Sequence, residues 1–347
     1  MSNLVSEIGR RVSSVRELMG DFDALIVSDP RNILYLTGRE TGTAILTRDS
    51  AELWVKDLYS KLYEDVYSAG SYPLEIEEYK KDAVKDFIKK SGFKNIGIGS
   101  VSVSSYDKLK GDMPCSLSVT DIVEQVRSVK SPYEIERIKK SCAIAKKGMR
   151  RAYEVVREGT TEIMAAAKIE YAIRKAGSEK PPFETGMLLA SGKNSADVHA
   201  RAGRHKINDC ETVVVDLGAC FENYHSDMTR TIAVGAADKK TLGLLEFVDN
   251  LRAETIGRIT PGDLAGNIHS FVEGEIKRHG FEFYHSTGHG VGLEIHEAPN
   301  IGQDSKDILK EGMVFTVEPG IYIPGKFGIR FEDTVLLTKN CCRILTK

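Results

Sequence analysis

Apolar residues recur every three or four positions in two segments of the chain, which is the spacing of one helix face. Near the N-terminus five residues keep this spacing: Leu4, Ile8, Val12, Val15 and Leu18. The longer run follows Pro132 and consists of Ile135, Ile138, Cys142, Ala145, Met149, Ala152 and Val156. We therefore predict an amphipathic N-terminal helix and a long helix with one buried face that ends before Gly159.

Short apolar runs alternate with charged stretches between these two helices, and turn-forming residues separate them. Residues 81–90 have the pattern of a helix. The apolar runs predict strands at residues 24–27, 33–36, 43–46, 51–55, 96–98 and 118–119. This combination predicts a small α/β domain with a mixed sheet at residues 1–127.

Residues 128–347 form the second predicted domain, and the pattern within it occurs twice. A short helix predicted between Gly159 and Gly177 has a counterpart of equal span between Gly262 and Gly280, and a longer helix precedes each. Strands that carry acidic residues or histidine follow each helix pair. We predict an α+β fold with a pseudo-two-fold repeat, whose two halves meet at a central cleft.

Composition narrows the class of protein. The 347 residues are enough for two domains, and the formal net charge of −2 argues against a dedicated nucleic-acid or membrane-surface binder. No apolar run reaches the roughly 20 residues that span a bilayer. The six cysteines form no C-x-x-C pair, so we interpret them as reduced thiols and expect a cytoplasmic protein.

Two aspartates lie in predicted strands of the second domain. Asp216 ends an apolar run and Asp227 begins the next strand, so a hairpin with its turn at residues 218–223 would bring them together. A carboxylate at the end of a buried strand is costly unless it is paired, hydrogen-bonded or metal-bound. The alternatives are an aspartate that faces a turn and a surface pair between Asp227 and Arg230.

Three further residues complete the candidate metal site. His289 lies among glycines and small residues, which let the backbone come close to a ligand; a core histidine is the alternative. Glu318 and Glu332 each interrupt an apolar run, where a lone glutamate would normally lie on the exposed face of its strand. With the two aspartates they carry four negative charges, which two divalent cations would neutralise. The set predicts a two-metal hydrolase using Mn²⁺, Co²⁺, Fe²⁺ or Zn²⁺.

These residues lie in six motifs: SGKNSADVHA, VVVDLGA, YHSDMTRT, STGHGVGLEIHE, EGMVFTVEPGIYIP and IRFEDTVLLT. In this order the motifs resemble those of the pita-bread metallopeptidases, and within that family the Xaa-Pro branch of prolidase and aminopeptidase P. The resemblance covers residues 130–347. The segment ALIVSDPRNILYLTG is similar to the creatinase/prolidase type of N-terminal domain that this branch carries.

The resemblance implies a role for each metal ligand. Asp216 would bind one ion, and His289 and Glu318 would bind the other. Asp227 and Glu332 would bridge the two ions. Glu318 would also take a proton from the attacking water.

Four further residues are candidates for substrate binding: His199, His296, Asn300 and Arg330. The resemblance implies that the two histidines bind the peptide and stabilise or protonate the tetrahedral species, which suits imidazole near pH 7. For His199 the alternative is a loop histidine beside Arg201. Arg330 could also orient Glu332; the alternative is an exposed charge on a strand.

Two positions depart from the family pattern. Val198 stands where a proline usually precedes the first histidine, and we expect this change to be tolerated. Asn300 stands where prolidases often have an arginine that clamps the C-terminal carboxylate of a dipeptide. An amide cannot offer that cationic fork, so strict dipeptide specificity is in doubt unless another base such as Arg201 serves.

The resemblance therefore implies a two-metal exopeptidase that cleaves between an N-terminal residue and proline, as a dipeptidase or an aminopeptidase, with Mn²⁺ or Co²⁺ as the expected ions. Its partners would be small peptides with proline at position two and a second copy of the chain, because the family usually forms homodimers. No nucleic-acid or membrane partner is expected. The alternatives are a non-catalytic peptide-binding protein on the same fold and a metal-free hydrolase of the creatinase type.

Overall fold

The computed structural model describes residues 2–56, 72–80, 82–112, 115–181, 183 and 186–347. The chain divides into two compact units, Met1–Arg127 and Ser128–Lys347. In the described part of the chain, no helix is long and apolar enough to cross a membrane.

The described strands of the first unit form one sheet: β1 (Ala24–Val27), β2 (Thr43–Thr47), β3 (Ala51–Val55), β4 (Glu75–Glu78), β5 (Asn95–Ile98) and β6 (Ser116–Val119). Their order is β4-β3-β2-β1-β5-β6; β2 is antiparallel to both neighbours and the other pairs are parallel. The described helices are Ser2–Leu18, Pro30–Thr37, Ala83–Ser91, Val103–Asp112 and Ile122–Ser128. The predicted mixed α/β unit is thus confirmed, although Lys81, the first residue of one predicted helix, lies outside the described residues.

The strand predicted at residues 33–36 is wrong, because these residues lie in the helix Pro30–Thr37. The side chain of Asp29 caps the start of that helix by accepting two backbone N–H hydrogen bonds, and a proline occupies its first turn. Gly38 ends it with a left-handed φ of 76°. These end signals outweigh the apolar run between them. Strand β4 and the last two helices of the unit were not predicted, because their short sequences show little periodicity.

The second unit contains two helix pairs: Pro132–Val155 with Glu162–Lys175, and Lys239–Arg258 with Ala265–Arg278. The first of these helices is the long one that the periodicity predicts. It begins at a capping box, in which the side chains of Ser131 and Glu134 accept each other's backbone N–H. Its predicted apolar face is buried from Ile138 to Ala152, and the helix ends before Gly159.

A sheet follows each helix pair. After the first pair come β7 (Leu188–Ser191), the 3₁₀ helix Gly192–Ala196, β8 (Thr212–Phe221) and β9 (Tyr224–Ala233). After the second pair come β10 (Gly288–Gly290), β11 (Glu297–Ile301), β12 (Val314–Val317), β13 (Gly320–Ile323), β14 (Phe327–Arg330), β15 (Asp333–Leu337) and β16 (Cys342–Ile344). The strands form the antiparallel sheets β7-β8-β9 and β11-β10-β12-β15-β16 and the hairpin β13-β14.

Each helix pair packs against its own sheet. The first core joins Met149 and its neighbours on the first pair to residues of β7–β9 such as Val215. The second core joins Ile256 on the second pair to residues of β12 and β15 such as Phe315. Because helix pair and sheet occur twice in the same order, the predicted α+β fold with an internal repeat is confirmed.

Candidate active site

The hairpin of β8 and β9 carries both candidate aspartates. Asp216 lies opposite Thr229 and Asp227 lies opposite Gly218, so both aspartates point to the same face of the sheet. The predicted hairpin is present, but its turn is shorter than the predicted residues 218–223, because both strands continue past the aspartates. The turn is made by the two residues after Phe221, both with positive φ, so the aspartates lie inside strands. Both are buried.

His289 lies on β10, between β11 and β12, where the backbone has almost no room. A Cβ at Gly288 would come within 1.9 Å of the carbonyl oxygen of Thr316, and one at Gly290 within 2.1 Å of that of Ala298. Only glycine allows so close an approach on both sides of the histidine. The hydroxyl of Thr316 accepts the His289 N–H at 3.1 Å, so the histidine is held rigidly.

The two glutamates are held by threonine hydroxyls. Glu318 follows β12, and its Oε1 accepts from the Thr316 hydroxyl at 3.2 Å. Glu332 lies between β14 and β15, and its Oε2 accepts from the Thr229 hydroxyl at 2.7 Å. The backbone N–H of Glu332 also donates to the carbonyl of Thr229. Strand β9 therefore positions Glu332 from a distant part of the chain.

The five predicted ligands, Asp216, Asp227, His289, Glu318 and Glu332, are brought together by these strands; we call them the ligand cluster. Nε2 of His289 lies 3.5 Å from Oε1 of Glu318 and 3.8 Å from Oδ2 of Asp227. One ligand atom each of Asp227, His289 and Glu332 lie within 4.8 Å of one another. Burial raises the pKa of Asp227, and the nearby carboxylates of Glu332, Asp216 and Glu318 raise it further.

The protonation of His289 indicates that cations belong in the cluster. Burial lowers the pKa of His289 to about 3, so the ring is neutral. Its Nδ1 lies 3.2 Å from the carbonyl oxygen of Gly290, which can only accept, so we assign the proton to Nδ1. The lone pair of Nε2 then faces the carboxylate oxygens of Asp227 and Glu318, and a cation between them would satisfy all three.

Buried carboxylate oxygens without partners lead to the same conclusion. Among the described residues, Oδ1 of Asp216, Oδ1 of Asp227 and Oε1 of Glu332 are buried and accept no hydrogen bond. Burial raises the pKa of Glu332 well above its ordinary value, and that of Glu318 to about 7. Burial of such groups is costly unless something positive pairs with them. Carboxylates with one imidazole and no thiolate fit divalent Mn, Co, Fe or Zn.

The sequence suggested that Arg330 orients Glu332, but in the structure it bonds Asp216 instead. Its Nη2 donates to Oδ2 of Asp216 at 2.6 Å, and its Nη1 donates to the hydroxyl of Tyr322 at 2.9 Å. The side chain of Thr229 lies between the two, because its hydroxyl contacts both Arg330 Nε and Glu332. Arg330 is also buried, with its donors directed at protein atoms, so its expected contact with substrate is not supported.

The other candidate substrate residues surround the ligand cluster. The rings of His289 and His296 are 4.2 Å apart. Burial lowers the pKa of His296, and the nearby His199 lowers it further although Asp216 opposes this. The side chain of His199 is exposed. Asn300 lies directly opposite His289 in the β10-β11 ladder, and opposite residues share a face of the sheet.

Sequence reasoning missed His285 and Tyr322. Nδ1 of His285 lies 2.8 Å from the carbonyl oxygen of Ser286, so its Nε2 accepts from the Tyr322 hydroxyl at 2.9 Å. The hydroxyl in turn accepts from Arg330, which completes a chain from His285 to Asp216. His285 could have been found, because it lies four residues before His289 in the same glycine-rich segment. Tyr322 gave no signal, since a tyrosine is ordinary in a strand.

The family of the chain follows from comparison with known proteins. Residues 136–339, more than half of the chain, match the model of metallopeptidase family M24. The chain belongs to this family. Residues 11–129 match the creatinase/prolidase N-terminal domain, which precedes the M24 domain here. Membership of M24 makes the chain a metal-dependent peptidase with the pita-bread fold and implies divalent metal ions.

Relatives of this M24 chain cover almost its whole length. An Xaa-Pro dipeptidase of Pyrococcus furiosus is 39% identical over 94% of this chain and 93% of its own length. The solved structure of the prolidase from Pyrococcus horikoshii has a TM-score of 0.88 and 36% identity, covering 97% of this chain and 98% of that chain. An X-Pro aminopeptidase from Thermotoga maritima has a TM-score of 0.83 and 29% identity, covering 96% of this chain and 97% of that chain. The fold alone therefore does not separate the two named activities.

Proposed function

We propose that this M24 chain is a two-metal exopeptidase that hydrolyses the bond between an N-terminal residue and a following proline. One observation carries the proposal: the Nε2 lone pair of His289 faces carboxylate oxygens of Asp227 and Glu318, an arrangement that divalent cations between them would satisfy. Partnerless buried oxygens on Asp216 and Glu332 support it. The names of the relatives support the choice of Xaa-Pro peptides.

The proposed metal site uses the whole ligand cluster. Asp216 would hold one ion, and His289 with Glu318 would hold the second. Asp227 and Glu332 would contact both. We propose Mn²⁺ or Co²⁺, with Zn²⁺ or Fe²⁺ as alternatives that the same donors accept. When bound, two such ions polarise the scissile carbonyl and lower the pKa of a shared water.

The chain's own side chains would bind the peptide and move its protons. Glu318 would take a proton from the attacking water, as the family resemblance implies. His296, beside His289, and the exposed His199 would hold the peptide and stabilise or protonate the tetrahedral species. His285, held by Tyr322, would contribute a neutral imidazole to the same surface.

Metal removal and substrate length test this function together. We expect the chelated protein to cleave no peptide and activity to return with Mn²⁺ or Co²⁺ on both Xaa-Pro and Xaa-Pro-Yaa. Liberated N-terminal residues would be measured by amine derivatisation, with Xaa-Ala peptides of equal length as the control. A protein that binds the ions but cleaves neither proline peptide would contradict the proposal.

Asn300 is proposed to set the preference for peptide length. An arginine at this position would face the same side of the sheet as His289 and offer a fork to a dipeptide carboxylate. We expect Asn300→Arg to raise the ratio of kcat/KM for Xaa-Pro over Xaa-Pro-Yaa about 10-fold or more, as charged hydrogen bonds allow. Asn340→Arg, which adds the same charge at an exposed site, is the matched control. An equal change in both variants would exclude a local role for Asn300.

We further propose a homodimer, as the family resemblance implies, and a cytoplasmic location, which six free cysteines support. Light scattering coupled to size exclusion measures the oligomeric state directly. A non-catalytic peptide-binding role has no observation in its favour, because all five residues of the ligand cluster are present.

A further inference from the structure

Glu162 is a charged residue that the proposed chemistry does not use, yet it is fully buried at the start of the helix Glu162–Lys175. Its Oε1 accepts from the backbone N–H of Ser191 at 2.7 Å, from the Ser191 hydroxyl at 2.8 Å and from the Asn194 amide at 3.2 Å. Its Oε2 accepts from the backbone N–H of Gly203 at 2.9 Å. In the described part of the chain, neutral groups supply all of these hydrogen bonds.

The donors belong to the two ends of one loop, residues 191–203, which carries His199; we call it the His199 loop. It leaves β7 at Ser191 and returns to the helix at Gly203. The backbone reinforces the return, because the N–H of Ile163 donates to the carbonyl of Gly203 at 2.9 Å. A single carboxylate therefore joins the beginning and the end of the His199 loop.

The middle of the His199 loop contacts β14, the strand that precedes the proposed ligand Glu332. The hydroxyl of Ser195 accepts the N–H of Gly328 on β14 at 2.8 Å. A Cβ at Gly328 would come within 2.0 Å of the Ser195 carbonyl oxygen, so the two backbones are in direct contact. Among the described residues no hydrogen bond holds the exposed side chain of His199, so its position depends on the backbone of the loop.

We propose that Glu162 is a positioning residue for peptide hydrolysis, which pins both ends of the His199 loop and so places His199 beside His285 and His296. The inference rests on the proposed function. The residue before His199 meets the network of His285 directly, because Nη1 of Arg330 donates both to the Val198 carbonyl at 3.4 Å and to the Tyr322 hydroxyl that contacts His285. Burying a carboxylate costs free energy, and four hydrogen bonds from one loop offset that cost while they hold the loop in one conformation.

Glu162→Gln tests the proposal with the smallest change in shape. The amide replaces one accepting oxygen by a donor, so either the Gly203 N–H or the Ser191 group loses its acceptor. We expect faster hydrogen exchange at the amides of Ser191 and Gly203, with unchanged metal content. We also expect kcat/KM to fall about 10²-fold, the effect typical of an ångström-scale misplacement. Glu170→Gln is the matched control, since Glu170 lies on the same helix and accepts from the Met187 N–H instead.

A double-mutant cycle with His199→Ala separates positioning from general support. If Glu162 acts through His199, the kcat/KM of the double variant should lie within about threefold of that of His199→Ala alone. The proposal would be overturned if the losses of kcat/KM in the two single variants multiplied in the double variant, or if Glu162→Gln left hydrogen exchange at the loop amides unchanged. If the wild-type chain cleaves no proline peptide, the proposed function fails, whereas the exchange measurement still decides whether Glu162 holds the loop.

Discussion

Replacing Asp227 by asparagine is expected to abolish peptide hydrolysis and, at the same time, to stabilise the metal-free protein. The first effect follows because a carboxylate oxygen of Asp227 lies within 4.8 Å of ligand atoms of His289 and Glu332. Its loss therefore removes a donor proposed to serve both ions. We expect kcat/KM to fall about 10³-fold or more, beyond the roughly 10- to 100-fold typical of losing a supporting partner. Metal titration by calorimetry should show a matching loss of affinity.

The gain in stability has an electrostatic origin. Asp227 is buried beside three other carboxylates, and one of its oxygens accepts no hydrogen bond from the described residues. Asparagine has the same shape without the charge, so it relieves the like-charge repulsion that metal ions would otherwise neutralise. Each kcal/mol gained would raise Tm by about 2–4 °C for a domain of this size. Thermal unfolding with chelator and with Mn²⁺ measures the effect. Without metal the variant should have a higher Tm than the wild type, and Mn²⁺ should no longer raise its Tm.

Asp333→Asn is the matched control for this experiment. Asp333 is as buried as Asp227 and follows the ligand Glu332, but Arg230 and Arg252 both donate to it. Neutralising it removes the buried carboxylate that pairs with both of these partly buried arginines, so the metal-free protein should become less stable. If Asp227→Asn also lowered the metal-free Tm, the ligand cluster would not be the electrostatic burden that we infer.

Three residues of the ligand cluster could be singled out because each interrupts an apolar segment. Asp216, Glu318 and Glu332 are charged where their neighbours are buried, and this contrast is visible in the sequence alone. The turn near Asp216 could not be predicted, because Gly218 resembles a turn residue when only local preferences are considered. In the structure it continues the strand, and the hairpin register sets it opposite Asp227. Tertiary pairing therefore outweighs the local turn signal.

The partners of the ligands could not be predicted, because they are distant in the sequence. Arg330 is two residues from Glu332 yet bonds Asp216, 114 residues away. The hydroxyl that contacts Glu332 comes from Thr229, 103 residues away. Residues two apart share a face only within one strand, and β14 ends at Arg330 while Glu332 lies in the link to β15, so nearness in sequence favoured the wrong partner.

Arg330→Lys is expected to weaken both metal binding and catalysis although it keeps the charge. The guanidinium contacts Asp216, Tyr322 and Thr229 through three different nitrogens, and an ammonium cannot reach all three. Asp216 would lose the partner that orients it, and the Tyr322–His285 pair would lose its donor. We expect metal affinity and kcat/KM each to fall about 10- to 100-fold, as for other residues that support a ligand. Calorimetric titration and steady-state kinetics at saturating metal measure the two effects separately.

The control and the reverse outcome make the role of Arg330 decidable. Arg258→Lys changes an exposed pair with Glu254, where one surface ion pair replaces another and neither quantity should move. A lysine at position 330 that lowered kcat/KM but left metal affinity intact would assign the arginine to substrate, as the sequence analysis expected. A loss of both metal affinity and kcat/KM would show that Arg330 acts through Asp216, because a residue that orients a metal ligand affects metal binding as well as peptide hydrolysis.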